Sequence, residues 1–483
     1  MSLKRSAEII IPVITWSIIT FPVWMSPFNP VIVSYFILGF DLYFFYKALT
    51  MAYFSALSYK RILFAQKQPF FKWLEKNKTA AELIHLIVIP NYKEPIEILR
   101  KTLKSIVDSD YPYKKNIYAV LAFEEREEEA KNKFRQLKKE FSGRLNMIST
   151  YHILSPGEVV GKASNQSWAV REAEKILKDK LKDPSKVLIT ISDADSILSK
   201  NYLSYLSYKF LSDNDRYFHF YWAPLLLYNN FHQLPFFVRL QATISSILRL
   251  AFLSQSDKLI QISTYSVSLD LLRRIGYWDT DIIPEDWHVF FQAFLKYGSK
   301  VKTIPLYTLL SGDAVYSGSF IKTFINRYEQ EKRWAWGVTD VVYLIANFRR
   351  SSVDSLTKIK KILFVAEHHL LWPTTFFIVT IAASIPPLIN PHFANTTLGF
   401  YLPKLSAFIL TLSTALLVVY IYLDFKLRHR LKKKTDLRKI PFYIIQWYTL
   451  PVISFLLSAL PALEAHTRLF LNKKIEYKVT EKI

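Results

Sequence analysis

Asp193 and Asp195 stand two residues apart just beyond a short apolar run, Val187–Ile191. Carboxylates at that spacing on an extended chain face the same way. A hard divalent cation takes one or two such carboxylates and completes its shell with phosphate oxygens, so the pair suits a metal–diphosphate. Alone it is equally the pattern of a solvated turn. A second acidic pair, Glu285 and Asp286, follows Pro284 and opens a helical stretch, where acidic residues complement the helix dipole. Gln330, Arg333 and Trp334 fall at i, i+3 and i+4, one face of a helix. An arginine there can grip a diphosphate through paired hydrogen bonds, and a tryptophan offers a sugar an apolar wall. A packed amphipathic helix with an exposed arginine has the same spacing. Lys162 opens a helix after Gly161 and is either a point charge for an anion or an exposed helix-start lysine. The chain has no cysteine, which removes disulfides, thiolate nucleophiles and cysteine-based zinc sites.

The elements that must position these residues read as alternating strands and helices. Residues 84–89, 117–123, 147–153 and 187–191 are the expected strands; 94–107, 124–141 and 162–177 are the expected helices. That rhythm predicts a mainly parallel sheet covered on both faces, with ligands at the carboxyl ends of its strands. Residues 236–253 and 320–348 mix apolar and aromatic residues with scattered Arg and Lys, as helices do that dock a domain at a membrane surface; an ordinary core helix reads the same way for the first of them.

In order along the chain come Tyr92-Lys93-Glu94 after the first strand, Lys162-Ala163-Ser164-Asn165, Asp193-Ala194-Asp195, Glu285-Asp286 and Gln330-Glu331-Lys332-Arg333-Trp334. This ordered set, over roughly residues 84–340, resembles the family 2 glycosyltransferases, the group that includes cellulose, chitin and hyaluronan synthases. The resemblance implies a GT-A fold: a Rossmann-like α/β domain, here with flanking transmembrane helices. It implies that Tyr92 and Glu94 contact the nucleoside, and that Glu124, where the family usually has Asp, contacts the base or ribose. Lys162 is implied to meet the base or diphosphate. Asp195 is implied as the direct ligand of Mg²⁺ or Mn²⁺, with Asp193 beside it on ribose or diphosphate. Asp286, next to Glu285, is implied as the general base, Arg333 as a diphosphate ligand and Trp334, with Gln330, as part of the acceptor wall. A single displacement by the acceptor oxygen would invert the anomeric centre. Two departures stand out. Residues 262–266 lack the Cys-containing acceptor motif of cellulose synthases, and His288, which reads as a packed histidine, replaces an acidic residue found in many relatives.

The formal net charge of +23 calls for anionic partners. Nucleic acid is set aside because residues 9–25, 31–57, 370–388 and 408–423 each approach the ~20 apolar residues that cross a bilayer. The basic loops around Lys60–Lys78 and Lys426–Lys439 place both ends of the intervening domain on the cytoplasmic side. The expected organisation is an N-terminal hairpin (1–58), a cytoplasmic catalytic domain (59–360), a second hairpin (361–425) and a basic segment (426–483) ending in an interfacial, re-entrant or fifth spanning helix. Within the spans, Asp41 and Lys47 are charged; Lys47 is expected to snorkel.

The expected reaction is transfer of a hexose from a nucleotide sugar, by resemblance a UDP-sugar, to a growing polysaccharide; a membrane lipid is the alternative acceptor. The tail Tyr477-Lys478-Val479-Thr480-Glu481-Lys482 resembles the Phe-x-Val-Thr-x-Lys gating loop of bacterial cellulose synthases, which favours the polymer.

Overall fold

The computed structural model describes residues 3–431, 438 and 440–477. Among the described residues there are nine strands: β1 Ile84–Pro90, β2 Ile117–Glu124, β3 Asn146–His152, β4 Val187–Ile191, β5 His219–Trp222, β6 Leu225–Leu226, β7 Tyr265–Ser268, β8 Lys302–Pro305 and β9 Leu310–Ser311. Seven form one sheet in the order β3-β2-β1-β4-β7-β5-β8, and β6 pairs with β9 apart from it. The large sheet is parallel throughout except at β7, which runs antiparallel to both neighbours. This is the mainly parallel α/β sheet expected of the GT-A fold.

Alternation along each strand sets the two cores. Leu86 and Val88 point to one face of β1 while Ile87 and Ile89 point to the other, and each pair joins a different buried cluster. Both faces are covered, so the central strands read as unbroken apolar runs. The register then delivers the site. Val88 of β1 lies beside Ile191 of β4, Pro90 beside Ala122 of β2, and Glu124 beside His152 of β3. The strand ends therefore bring residues 91–94, Glu124 and residues 192–195 to one edge of the sheet.

Several elements differ from the pattern read along the chain. Glu124 is the last residue of β2, and the charged helix starts later, at Ala130. Strand burial extends one residue further because the carboxylate has a buried partner waiting on β3. The 320–348 stretch is a helix Phe320–Ala335, a tight turn Trp336–Val338 and a helix Thr339–Ala346. The antiparallel β7 and the short β5 and β8 are four-residue segments too brief to carry a readable period.

Among the described residues, six helices are long and apolar enough to cross a membrane: Leu3–Met25, Pro30–Ala65, Phe236–Leu253, Ser355–Thr380, Thr397–Arg430 and Pro441–Phe470. The third is two-thirds buried inside the protein, whereas the others keep most of their surface outward. Large apolar side chains such as Trp24, Tyr53, Phe408 and Val418 are exposed on them. The Lys47 ammonium pairs with Glu367 at 2.5 Å. Asp41 is buried and accepts from the Ser406 hydroxyl at 2.6 Å. Of the basic segment expected after residue 425, Lys432, Lys433, Lys434 and Lys439 lie outside the described residues.

Candidate active site

Lys162 is the hub. Its ammonium lies 2.8 Å from Asp193 Oδ1, 2.9 Å from Glu285 Oε1 and 3.6 Å from Asp286 Oδ1. These residues are far apart in sequence and come from three elements: the start of helix Lys162–Ile176, the turn after β4 and the first turn of helix Glu285–Tyr297. Asn165, one helical turn on from Gly161, holds that helix start in place. Its amide donates to the Ala122 carbonyl at 3.2 Å, and the same carbonyl receives the Asn91 backbone N–H at 2.9 Å. Burial pushes the Lys162 ammonium down, but the charges of Asp193, Asp286 and Glu285 outweigh it, and the net shift is well above the ordinary lysine range.

Asp286 is gripped through one oxygen, and its other oxygen is buried without a hydrogen-bond partner among the described residues. Its Oδ2 accepts the Ser263 backbone N–H at 2.7 Å, whereas Oδ1 is buried and makes no hydrogen bond. Ser263 reaches this position at φ 65°, in the left-handed region, and its carbonyl lies 3.4 Å from Lys162. Such a conformation costs a non-glycine residue roughly 1–3 kcal/mol and persists where surrounding contacts enforce it. Burial, then the neighbouring Glu285 charge, pushes the Asp286 carboxyl well above the carboxylate range, with Lys162 pulling the other way.

Asp193 and Asp195 follow β4 in a turn, not on extended chain, so strand alternation is not what orients them. Asp193 is held by Lys162. Asp195 is buried, and its Oδ2 accepts the Asp313 backbone N–H at 2.6 Å. Among the described residues, no group of three or more His, Asp or Glu could hold a metal ion. The two carboxylates do fit a Mg²⁺ or Mn²⁺ that arrives with its diphosphate, because such ions complete their shell with phosphate oxygens and water.

At the carboxyl ends of β1 and β2, the Tyr92 ring is stacked by the Arg126 guanidinium at 4.3 Å. Arg126 also lies 3.8 Å from Glu124. Glu124 is buried, and both of its oxygens lie 3.2 Å from His152 Nδ1. Beyond it, His152 Nε2 meets Glu158 at 3.1 Å. Burial pushes the imidazole down and the two carboxylates push it up, with a net rise. Glu94 lies close by in the chain, and its carbonyl accepts from Lys133 at 2.9 Å. The same lysine pairs with buried Glu127, which receives the Lys93 backbone N–H at 2.8 Å.

The Gln330, Arg333 and Trp334 face is divided among different partners. Gln330 accepts from Arg327. The Trp334 ring has the Arg327 guanidinium 4.8 Å and the Arg249 guanidinium 5.8 Å from its centre. Arg333 lies over the Tyr477 ring at 4.6 Å. Tyr477 also packs on Gly161, where a Cβ would come within 3.2 Å of its ring; a side chain at 161 would push the tyrosine away. Arg333, Glu285, Lys162 and Asp193 all bear electrostatically on its phenol, which burial pushes up. The tail thus meets the acidic cluster through Tyr477, while Val479, Thr480 and Lys482 lie outside the described residues.

Sequence alone assigns no site role to Arg126, His152, Arg249, Arg327 or Asp313. Arg249 and Arg327 carry a signal as charges scattered in the apolar stretches 236–253 and 320–348. Arg126, His152 and Asp313 meet Tyr92, Glu124 and Asp195, which are distant in sequence.

Two family models match the chain. One, described as Glycosyl transferase family group 2, matches residues 188–423; the other, described as Glycosyltransferase like family 2, matches residues 85–218. No curated protein matches the sequence. Among solved structures, the mannosyltransferase PcManGT from Pyrobaculum calidifontis, in complex with GDP-Man and Mn²⁺, is 15% identical. That match covers 82% of this chain and 100% of the other, with a TM-score of 0.44. A crystal structure of S. aureus TarS 1–349 is 10% identical over 72% of this chain and 92% of its own, with a TM-score of 0.37. The same TarS fragment in complex with UDP-GlcNAc is 12% identical over 73% and 93%, with a TM-score of 0.37.

Proposed function

We propose that this chain, a glycosyltransferase by its matches to family 2 models over residues 85–218 and 188–423, moves a hexose from a nucleotide sugar, a UDP-sugar, to a growing polysaccharide with inversion. The observation that carries this reading is the single cluster formed by Lys162, Asp193, Glu285 and Asp286. It puts a cation for phosphate and a carboxylate with one oxygen not engaged in a hydrogen bond within one site.

Asp286 is the general base. Its unbonded Oδ1 takes the proton of the acceptor hydroxyl as that oxygen bonds to the anomeric carbon. The bond from that carbon to the diphosphate breaks, and its electron pair leaves with the nucleotide. A carboxyl pushed above the carboxylate range is a stronger base than an ordinary aspartate. Lys162 and the Ser263 N–H favour its ionised form. Arg333 and Lys162 receive the negative diphosphate, and Trp334 lines the acceptor side. Tyr92, Glu94 and Glu124 hold the nucleoside. Asp195, with Asp193, would hold Mg²⁺ or Mn²⁺, which supplies Lewis-acid neutralisation of the departing diphosphate.

The long apolar helices and the basic loops support a multi-pass membrane protein whose catalytic domain, residues 59–360, faces the cytoplasm. A polymer rather than a lipid acceptor is supported by Tyr477. The first residue of the Tyr-x-Val-Thr-x-Lys stretch rests on Arg333 and Gly161, as a tail that closes over bound donor would. Incubation of purified protein with labelled UDP- and GDP-sugars, followed by product sizing, tests this. Chains of many sugars are expected; a single sugar on a lipid would favour the glycolipid reading.

A further inference from the structure

His288 lies two residues beyond Asp286, so it projects about 200° around the same helix, away from the acidic cluster. It is buried, with Nδ1 2.6 Å from Asp340 Oδ1 and Nε2 3.0 Å from Asp279 Oδ2. A carboxylate on each ring nitrogen favours the imidazolium, in which both nitrogens donate. The Asp340 side chain is 1% exposed and that of Asp279 is 38% exposed.

The three residues join three parts of the catalytic domain. Asp279 sits in the loop after β7 and its helix, and next to it the Thr280 carbonyl accepts the Val159 N–H at 2.8 Å, just before Gly161 and Lys162. His288 belongs to the helix that carries Asp286. Asp340 is in the first turn of helix Thr339–Ala346, which follows Trp334 after one tight turn. An apolar side chain would fill this space at lower desolvation cost; a charged triad instead fixes direction as well as distance.

We propose that His288 is a positioning residue for sugar transfer: clamped between Asp279 and Asp340, it fixes the helix bearing Asp286 against the segment bearing Arg333 and Trp334. The inference rests on the reading of Asp286 as the base. Breaking the clamp leaves donor contacts in place but loosens the base relative to the acceptor wall.

The charged and titratable groups that face the ring are Asp279 on the loop and Asp340 and Tyr343 on helix Thr339–Ala346, with Asp281 bearing on Tyr343, while Glu285 and Asp286 sit toward the other side of its own helix. On helix Ser355–Thr380, Lys361 lies over Phe290 and Phe294 of the same helix as His288. Burial pushes His288 down; hydrogen bonds and charge from Asp279 and Asp340 push it up, to about 9. The clamp is therefore intact at neutral pH and is lost as the pH rises through that value.

The test uses the full chain in detergent or nanodiscs, with transfer and donor hydrolysis measured against pH for the parent, His288→Gln and Asp340→Asn. Transfer kcat is expected to fall about 10- to 100-fold in His288→Gln, the scale of a small misplacement of reacting groups, with donor KM unchanged and hydrolysis to water less affected. The parent should lose transfer above pH about 9. Asp340→Asn, with one carboxylate fewer, should move that loss to lower pH, and His288→Gln should abolish it. Unchanged kcat and an unmoved alkaline limb would overturn the proposal; if His288→Gln does not fold, the position of the limb in Asp340→Asn decides alone. Asp286→Asn separates the two readings: normal transfer in that variant rejects the base, whereas its loss alongside unaffected clamp variants rejects only the clamp.

Discussion

Lys162 Nζ stands 3.6 Å from Asp286 Oδ1, close enough to favour the ionised carboxylate and too far to hydrogen-bond it. Burial and Glu285 push the proton onto Asp286, and Lys162 pulls it off. Transfer should therefore rise with pH along an acidic limb above the usual carboxylate range. Removing the cation in Lys162→Met should move that limb to higher pH and weaken donor binding together. An acidic limb at the same pH in the variant would show that Lys162 does not tune the base.

Asp195 is expected to be required for the donor rather than for the fold. Asp195→Ala should lose nucleotide-sugar binding in Mg²⁺, and chelation of the parent protein should have the same effect, reversed by Mn²⁺ or Mg²⁺. Calorimetric titration with a nucleotide sugar reads both. Full activity after rigorous chelation would remove the metal from the mechanism.

Trp334 packs between the guanidiniums of Arg327 and Arg249, so a smaller residue loses both a wall and support. Trp334→Phe keeps an aromatic ring and controls for packing. Trp334→Ala should lower transfer about 10-fold or more while donor affinity changes little, as expected for a group that orients only the acceptor. An equal loss of donor binding, in a variant that melts like the parent, would assign Trp334 to the donor instead.

Tyr477 occupies the space beside Gly161 and Arg333. Removing residues 476–483 should lower transfer and raise the share of donor lost to water, because a tail that closes on bound donor excludes solvent. Gly161→Ala should do the same more weakly by displacing the ring. Kinetics unchanged by the truncation would leave the tail without a role in the reaction.

The parallel sheet was legible because strands such as residues 84–89 and 187–191 are buried on both faces and read as plain apolar runs. Lys162, Asp193, Glu285 and Asp286 were legible as separate motifs, and the sheet register explains why they meet. What escaped has a common cause. Glu124 looks like the start of a charged helix until His152, 28 residues away, is seen beside it. Arg327 lies two helical turns before Trp334 on the same helix, but Arg249 reaches that ring from a different helix, 85 residues away, and no local period announces it. His288 reads as packing until Asp279 and Asp340 are found on its two nitrogens. Partnerships across long sequence separations leave no trace in a single chain's pattern.

The central claim is that Asp286 deprotonates the acceptor while other residues hold the donor. The direct measurement compares Asp286→Asn with the parent, following both transfer of labelled sugar and equilibrium binding of the nucleotide sugar. Transfer is expected to fall about 100- to 10,000-fold, the range for removal of a general base, with donor affinity kept within a few-fold. Near-normal turnover in Asp286→Asn would contradict the assignment.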